Sequence, residues 1–156
     1  MTYRSPNSIP DLYMAFETLN PISKLYPGFS DWYWDKVAPG IILGNDKIII
    51  AEQRNELVGI SIIKNGPEKK IRALRINEKF QKKGLGLHLL DYSLKELGTD
   101  KPVVSVAEEM LNDFARIFIN RYDFDMTHVY KGLYRPQKLE YEFNGTQELE
   151  KKTITF

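Results

Sequence analysis

The chain has 156 residues, 42% of them hydrophobic, which is enough to bury one ordinary core and too few for two independent ones, so a single domain over 1–156 is expected. Lys and Arg number 22 against 21 Asp and Glu, a formal charge of +1, which removes any global electrostatic case for nucleic acid or an acidic membrane surface. There is no cysteine, hence no disulfide framework, no thiolate nucleophile and no cysteine-based zinc site; His88 and His128 are the two imidazoles, and no metal is expected.

The opening MTYRSPNSIP lacks the apolar core of a signal peptide, and no run approaches the ~18 apolar residues of a membrane span, so the expectation is a soluble cytoplasmic protein. In SIPDLYMAFETLN, Ser8 caps a helix with Asp11 three residues on, and Ile9, Leu12, Tyr13 and Phe16 recur at helical spacing. Ser30 reads as the cap of a second, aromatic helix, stopped by Pro39 and Gly40. Three β-branched runs follow, KIIIAE, LVGISIIKN and IRALRI, joined by QRNE and NGPEKK as an antiparallel meander. Leu87, Leu90, Leu94 and Leu97 then trace a helix stripe ending at Gly98, and PVVSV reads as a buried strand parallel to IRALRI, completing a βαβ unit. Leu111, Phe114, Ala115, Phe118 and Tyr122 predict another helix, MTHVYKGLYRP and KLEYEF a closing hairpin, and NGTQELEKKTITF has no assignment.

Between IRALRI and its helix lies QKKGLG, residues 81 to 86. A helix start leaves backbone N–H groups without partners and carries partial positive charge, so it holds anions. Gly84 and Gly86 keep side chains out of a phosphate's way, and Lys82 and Lys83 add charge at the rim. The residues after Gly86 are Leu87 and His88, which is not a P-loop, and Leu89 stands where a dinucleotide fingerprint needs its third glycine.

Gln81, Gly84 and Gly86, after a strand and opening a helix, resemble the [Q/R]xxGx[G/A] signature of the GNAT superfamily of acyl-CoA-dependent N-acetyltransferases, and the order of elements matches its plan over roughly residues 8 to 143. The resemblance implies an α/β (α+β) fold: a mixed, mainly antiparallel sheet with a central β-α-β parallel pair that splays apart, and flanking helices. It implies acetyl-CoA as cofactor and an amine acceptor, with transfer by direct attack in a ternary complex. Leu74, Arg75 and Ile76 would meet pantetheine through backbone groups, and the loop from Gln81 through Lys82, Lys83, Gly84, Leu85 and Gly86 to Leu87 would hold the pyrophosphate. The Ile76 N–H would meet the developing oxyanion. The family pattern NxxAxxxYxxxGF laid on Asn112 makes it a pantetheine contact, or Met110 if counted from the strand. The same pattern puts Ile119 where the family has its acid tyrosine and Asp123 where it has glycine; a coenzyme A thiolate, with a pKa of roughly 8.5, leaves tolerably well without a dedicated acid, and Tyr122, one turn on, or else Tyr130 or Tyr134, would supply one. Glu108, Glu109 or Glu78, just past the two parallel strands, would serve as base. Tyr26, Phe29, Trp32, Tyr33 and Trp34 would form one wall of the acceptor cleft or pack on the sheet, and Arg72 or Arg75 would face the cleft or water. The resemblance is compatible with a homodimer and points to neither nucleic acid nor membrane as partner. The departure at Ile119 leaves one alternative, an acyl-CoA-binding sensor or scaffold of the same fold without transfer; an interaction protein using QKKGLG as a plain turn is a second.

Overall fold

The computed structural model describes residues 1–146. The chain opens with β1 (Thr2–Arg4) and α1 (Ile9–Leu19), and the Ser8 hydroxyl accepts the Asp11 N–H at 3.3 Å as a helix cap should. The Asp11 carboxylate does not bend back to complete a capping box. It takes both guanidinium nitrogens of Arg4, at 2.7 and 3.1 Å, and the Asn7 N–H, and the Arg4 pair holds its carboxyl down at about 2. One ion pair thus pins the first strand to the first helix.

The second helical segment differs from expectation. α2 (Phe29–Trp32) starts after Gly28, two residues earlier than a Ser30 cap allows, with Phe29 buried at its start. The chain then passes through a π turn (Tyr33–Val37) directly into α3 (Ala38–Leu43), which runs through Pro39 and Gly40 and stops at Gly44, whose φ of 81° is left-handed. In that wide turn the Ala38 N–H reaches back five residues to Tyr33, and Pro39 falls in the first turn of α3, where a missing N–H is tolerated.

The meander forms as expected: β2 (Asp46–Gln53), β3 (Glu56–Lys64) and β4 (Lys70–Ile76) pair antiparallel, with β1 on the edge, in the order β1-β2-β3-β4. Arg54 and Asn55, both with positive φ, turn β2 into β3, the geometry of a two-residue hairpin loop. Both faces of the sheet are covered, which is why its strands read as unbroken apolar runs. Ile48, Ile50, Ile60 and Ile62 pack on Leu19, Phe29 and Tyr33 from the opening helices. Ile49, Ile63, Ile71 and Ile76 pack on the other side against Leu89, Leu90 and Leu97 of α4 (Leu85–Leu97). Leu87 and Leu94, read as part of that stripe, are half-buried, and the stripe includes Ser93, whose hydroxyl donates to the Leu89 carbonyl at 2.8 Å and accepts the Ser61 hydroxyl at 2.9 Å.

The sheet divides after β4. β5 (Val104–Ala107) is parallel to β4, but among the described residues the two share one bridge, Lys70 with Val103, where the Ile71 N–H donates to the Val103 carbonyl at 3.0 Å and the Val103 N–H to Lys69 at 2.9 Å. Beyond it the strands part, and β5 joins β6 (Met126–Lys131) and β7 (Leu139–Phe143) in a second antiparallel sheet of order β5-β7-β6. α5 (Leu111–Arg116) continues into a π turn (Ile117–Arg121) between the sheets' connections. The fork in the sheet is the splay that the resemblance implies. Most of the unassigned tail, from residue 147 on, lies outside the described residues.

Candidate active site

The fork opens onto a cavity of ≈ 590 Å³, within the range of small-molecule sites. One wall is the last part of β4, Leu74, Arg75 and Ile76, and the facing wall is β5, Val104 to Ala107. At its mouth lies the glycine loop. The Phe80 N–H closes a turn on the Asn77 carbonyl at 2.8 Å, and the Gln81 side chain donates to the Ile76 carbonyl at 2.8 Å, tying the loop to the end of β4. Lys82 and Gly84 then take φ of 63° and 77°, and Gly84 is the cap from which α4 starts. The Leu87 N–H reaches the Gly84 carbonyl at 3.2 Å, and the N–H groups ahead of it are those a helix start leaves without an intrahelical acceptor.

The two glycines do different work. Nothing lies within 4 Å of where a Gly84 side chain would point, so its requirement is the left-handed backbone. A Cβ at Gly86 would meet the Ile76 side chain at 3.5 Å, an ordinary van der Waals contact, so this glycine answers to the cavity it lines and not to packing or backbone. Gln81, Gly84, Gly86 and Leu87 line the cavity; Leu85 packs on the core, and Lys82 and Lys83 are exposed. Lys79 and Lys83 both lie over the Phe80 ring, at 5.4 and 5.9 Å, which gathers cationic groups at this edge.

The far end of the cavity is built by the opening helices and the second sheet. Tyr26, Phe29 and Trp32 line it, and Tyr134, from the β6–β7 loop, meets Tyr26 edge to face at 5.3 Å. Tyr26 donates to Glu140 of β7 at 2.7 Å, and Ser105 of β5 donates to the same carboxylate oxygen at 2.8 Å. Burial, the main cause, pushes the Glu140 carboxyl up, and it pushes the Tyr26 and Tyr134 hydroxyls up as well, so both tyrosines stay protonated at neutral pH. Arg72 also lines this end; β4 bulges there, with Ala73 opposite Ile62 and Ile71 opposite Ile63, and the guanidinium turns to Asp46.

A family model described as an acetyltransferase (GNAT) domain matches residues 33–129, well over half of the chain. The chain belongs to the GNAT acetyltransferase family. Solved GNAT structures share its fold. One from Desulfovibrio desulfuricans, assigned to the same family, superposes with a TM-score of 0.71 at 15% identity, covering 91% of this chain and 96% of that one. A GNAT acetyltransferase from Elizabethkingia anophelis with acetyl-CoA bound gives 0.62 at 17%, covering 91% and 95%. A chimera of the Vibrio cholerae spermidine N-acetyltransferase gives 0.67 at 16%, covering 92% and 95%. No curated protein matches the sequence. Identities this low speak for the fold alone.

Within this GNAT domain Leu74, Arg75, Ile76, Gln81, Gly84, Gly86 and Leu87 lie together on the cavity and Tyr134 joins its lining, while Asn112, Tyr122, Glu108 and Glu109 do not. Asn112 is exposed on α5 and outside the cavity; Met110 and Phe114 line it instead. Tyr122 donates to Asp91 of α4 at 2.7 Å, away from the cleft, and burial above all pushes its hydroxyl up to about 12. The Glu108 carboxylate accepts the Leu139 N–H at 3.0 Å and pairs with Lys138 at 3.2 Å, and the backbone bond first, then Lys138, holds it below the usual range. Glu109 takes both nitrogens of Arg135, at 2.9 and 2.7 Å, and is held down at about 2. These acids clamp the β6–β7 loop to the end of β5. Asp123, in the family's glycine position, has a φ of 55°, the backbone that glycine tolerates, and Phe124 after it is buried. The π turn just before adds a residue to the helix, so that Phe118 rather than Ile119 faces the cavity and Ile119 is 43% exposed.

Sequence reasoning did not single out Ser105 and Glu140. Each carries a signal in retrospect: Ser105 is the one polar residue in PVVSV, and KLEYEF places Glu140 and Glu142 two apart, on one face of a strand that buries both.

Proposed function

We propose that this domain is an acetyl-CoA-dependent N-acetyltransferase that moves an acetyl group to a primary amine by direct attack within a ternary complex. The observation that carries the reading is the fork between β4 and β5, joined at Lys70 and Val103 and open onto the cavity below it. Two strands that part this way leave main-chain groups facing each other without ladder partners, and an extended amide-bearing chain such as pantetheine can occupy the gap as an added strand does. The left-handed Gly84 cap supplies the anion site that a pyrophosphate needs at the mouth. The residues present therefore fit the cofactor.

In this reading main-chain groups of Leu74, Arg75 and Ile76 hold pantetheine, with the Ile76 N–H aimed at the carbonyl oxygen of the acetyl group. The N–H groups between Gln81 and Leu87 hold the pyrophosphate, with Lys82 and Lys83 beside it. Acetyl-CoA supplies the activated acyl group as a thioester. Tyr134, kept neutral by burial and lining the cavity, is a hydroxyl donor for the departing sulfur; Tyr122, Glu108 and Asn112 face elsewhere. The Elizabethkingia structure carries acetyl-CoA and the Vibrio enzyme is named for spermidine, which supports both the donor and an amine acceptor. Among the described residues no helix is long and apolar enough to cross a membrane, and the reading carries a cytoplasmic location with it.

The test is a thermal melt with acetyl-CoA, desulfo-coenzyme A and ATP, followed by thiol release with a panel of primary amines. A ligand at 100 times its Kd stabilises by about 2.7 kcal/mol, which raises the midpoint of a domain this size on the order of 5 °C or more. Both coenzyme A compounds are expected to shift the melt and ATP much less. The chain has no cysteine, so every thiol detected is released coenzyme A. A melt unmoved by either coenzyme A compound would sink the reading.

A further inference from the structure

Glu140 sits behind the acceptor end of the cleft, 4% exposed, and two hydroxyls from opposite walls converge on one of its oxygens. Ser105 comes from β5, and Tyr26 from the segment between α1 and α2; both line the cavity, and the contacts are 2.8 and 2.7 Å. A hydroxyl has one hydrogen and two lone pairs. Once the hydrogen is committed to a carboxylate, the oxygen meets any further polar neighbour only as an acceptor. A wall of this kind selects for donors, and an ammonium group, with three N–H bonds and a positive charge facing a buried carboxylate, suits it better than an alcohol, which has one O–H and no charge, or an ionised acid, which has no donor.

We propose that Glu140, acting through the Ser105 and Tyr26 hydroxyls, forms the ammonium-receiving end of the cleft and takes up the proton that the acceptor must lose before it attacks. This rests on the N-acetyltransferase reading. An ammonium proton passes to the Ser105 or Tyr26 oxygen while that hydroxyl's own hydrogen passes to Glu140 Oε2. The amine becomes neutral with its lone pair free, the carboxylate becomes a neutral acid, and no bond to carbon changes. Over the whole reaction the ammonium and the thioester give an amide, a thiol and one proton, which Glu140 holds until it is released. Glu140 is a positioning residue in this scheme, since the two hydroxyls make the contact.

The surroundings are consistent with that task. Burial raises the carboxyl, and a base nearer the amine in pKa transfers a proton more readily. The hydroxyls of Tyr26 and Ser105 and the charges of Arg135 and Lys70 oppose the rise, which keeps the ionised form accessible. Across the sheet Glu140 is paired with Tyr130 of β6, while Glu142, two residues along β7, is engaged with His128 at 3.1 Å. Asp46 is paired with Arg72, and Glu108 and Glu109, past the end of β5, are occupied by Lys138, Arg135 and the Leu139 N–H.

The test uses the full chain, Glu140→Gln, and a Ser105→Ala/Tyr26→Phe double variant, with spermidine, tyramine and alaninamide as amines and the alcohol analogue of tyramine as a control. First, melts in the presence of desulfo-coenzyme A should show at least one amine stabilising the wild type, with tyramine ahead of its alcohol analogue, and the double variant should lose that preference. Second, Glu140→Gln should keep the acetyl-CoA melt shift and lose about 10²-fold in kcat at pH 7. Its kcat should then climb roughly tenfold per pH unit towards the amine's own pKa, about 10.4 for a lysine-like amine, because only amine that is already neutral reacts. The wild-type kcat should stay nearly flat over the same range. A Glu140→Gln profile parallel to the wild type, or no preference for amine over alcohol, overturns the assignment of Glu140 even if acetyl-CoA binds. A wild type that acetyl-CoA does not stabilise overturns the transferase reading itself, and this inference with it.

Discussion

The Arg72 guanidinium meets the Asp46 carboxylate at 2.5 Å, with 4% and 5% of the two side chains exposed. Arg72 also lies over the Trp32 ring at 5.0 Å, so the pair joins the bulge of β4 to the start of β2 and to the aromatic wall of the cleft. Breaking a buried pair by removing one partner is far more damaging than replacing both. Asp46→Ala should therefore lose about 3 kcal/mol in urea unfolding, and an Asp46→Leu/Arg72→Met double variant should recover much of it. Gly40 reports on the same place: a side chain there would fall 2.1 Å from Asp46 Oδ2, so Gly40→Ala should behave as a weaker Asp46 variant.

Gly59 sets the position of the cofactor edge. A methyl group at Gly59 would lie 2.7 Å from the Arg75 carbonyl oxygen and 3.2 Å from the Ile76 Cα, and backbone atoms cannot move aside as a flexible side chain can. Gly59→Ala should cost about 1–3 kcal/mol as overpacking, and the displaced end of β4 should weaken acetyl-CoA. The measurement is the acetyl-CoA melt shift, which should shrink relative to other variants of equal stability.

Gly84 and Gly44 allow backbone strain to be separated from anion binding. Both cap helices with left-handed φ, 77° and 81°, and neither has an atom within 4 Å of its would-be side chain. An alanine at either should cost about 1–2 kcal/mol. Gly84→Glu should in addition abolish most of the acetyl-CoA shift by placing a carboxylate at the phosphate site, whereas Gly44→Ala should leave the shift unchanged. Equal shifts in the two variants would remove the anion site from the loop.

The parts legible in the sequence are those written in consecutive residues. The Ser8 cap, the Arg54–Asn55 turn, the Gly98 stop and the glycine loop each depend on backbone preferences of a few neighbours, and each stands where its residues predict. The acceptor end was not legible, because Tyr26, Ser105 and Glu140 meet only when an opening segment, the forked strand and the closing hairpin come together. Phase was lost at two π turns. One carries the chain through Pro39, which reads as a stop, and the other shifts the α5 pattern so that positions counted from Asn112 face the wrong way.

The Glu109–Arg135 fork should act on the acceptor and not on the cofactor. It anchors the β6–β7 loop that carries Tyr134 over the far end of the cavity, while the glycine loop lies at the mouth. Arg135→Lys keeps the charge but loses the two parallel bonds. We expect the acceptor KM to rise several-fold, on the order of the 1.4 kcal/mol that a factor of ten represents, with the acetyl-CoA Kd unchanged. A matching loss for both ligands would mean that the loop supports the whole cleft.

Glu140 also predicts a pH signature in stability. Its folded-state carboxyl is raised above the ordinary 4.5 by burial, so between 4.5 and the raised value the unfolded chain has released a proton that the folded chain keeps. Fewer protons bound in the unfolded state means that stability falls as pH rises through this window, and the deficit persists above it. Asp11 and Glu109, both held at about 2 by arginines, act in the opposite sense: their contribution is present above the ordinary carboxyl range and is lost as pH falls towards about 2. They are common to wild type and variant and cancel in a comparison. Glu140→Gln should therefore melt above the wild type at pH 7, with the gap opening as pH rises from about 4.5 and then levelling, the exchange of stability for function expected of a buried acid kept for its chemistry. Melting curves that stay parallel across that range would mean that the Glu140 carboxyl titrates as an ordinary glutamate, and a base without a raised pKa would have little pull on an ammonium proton.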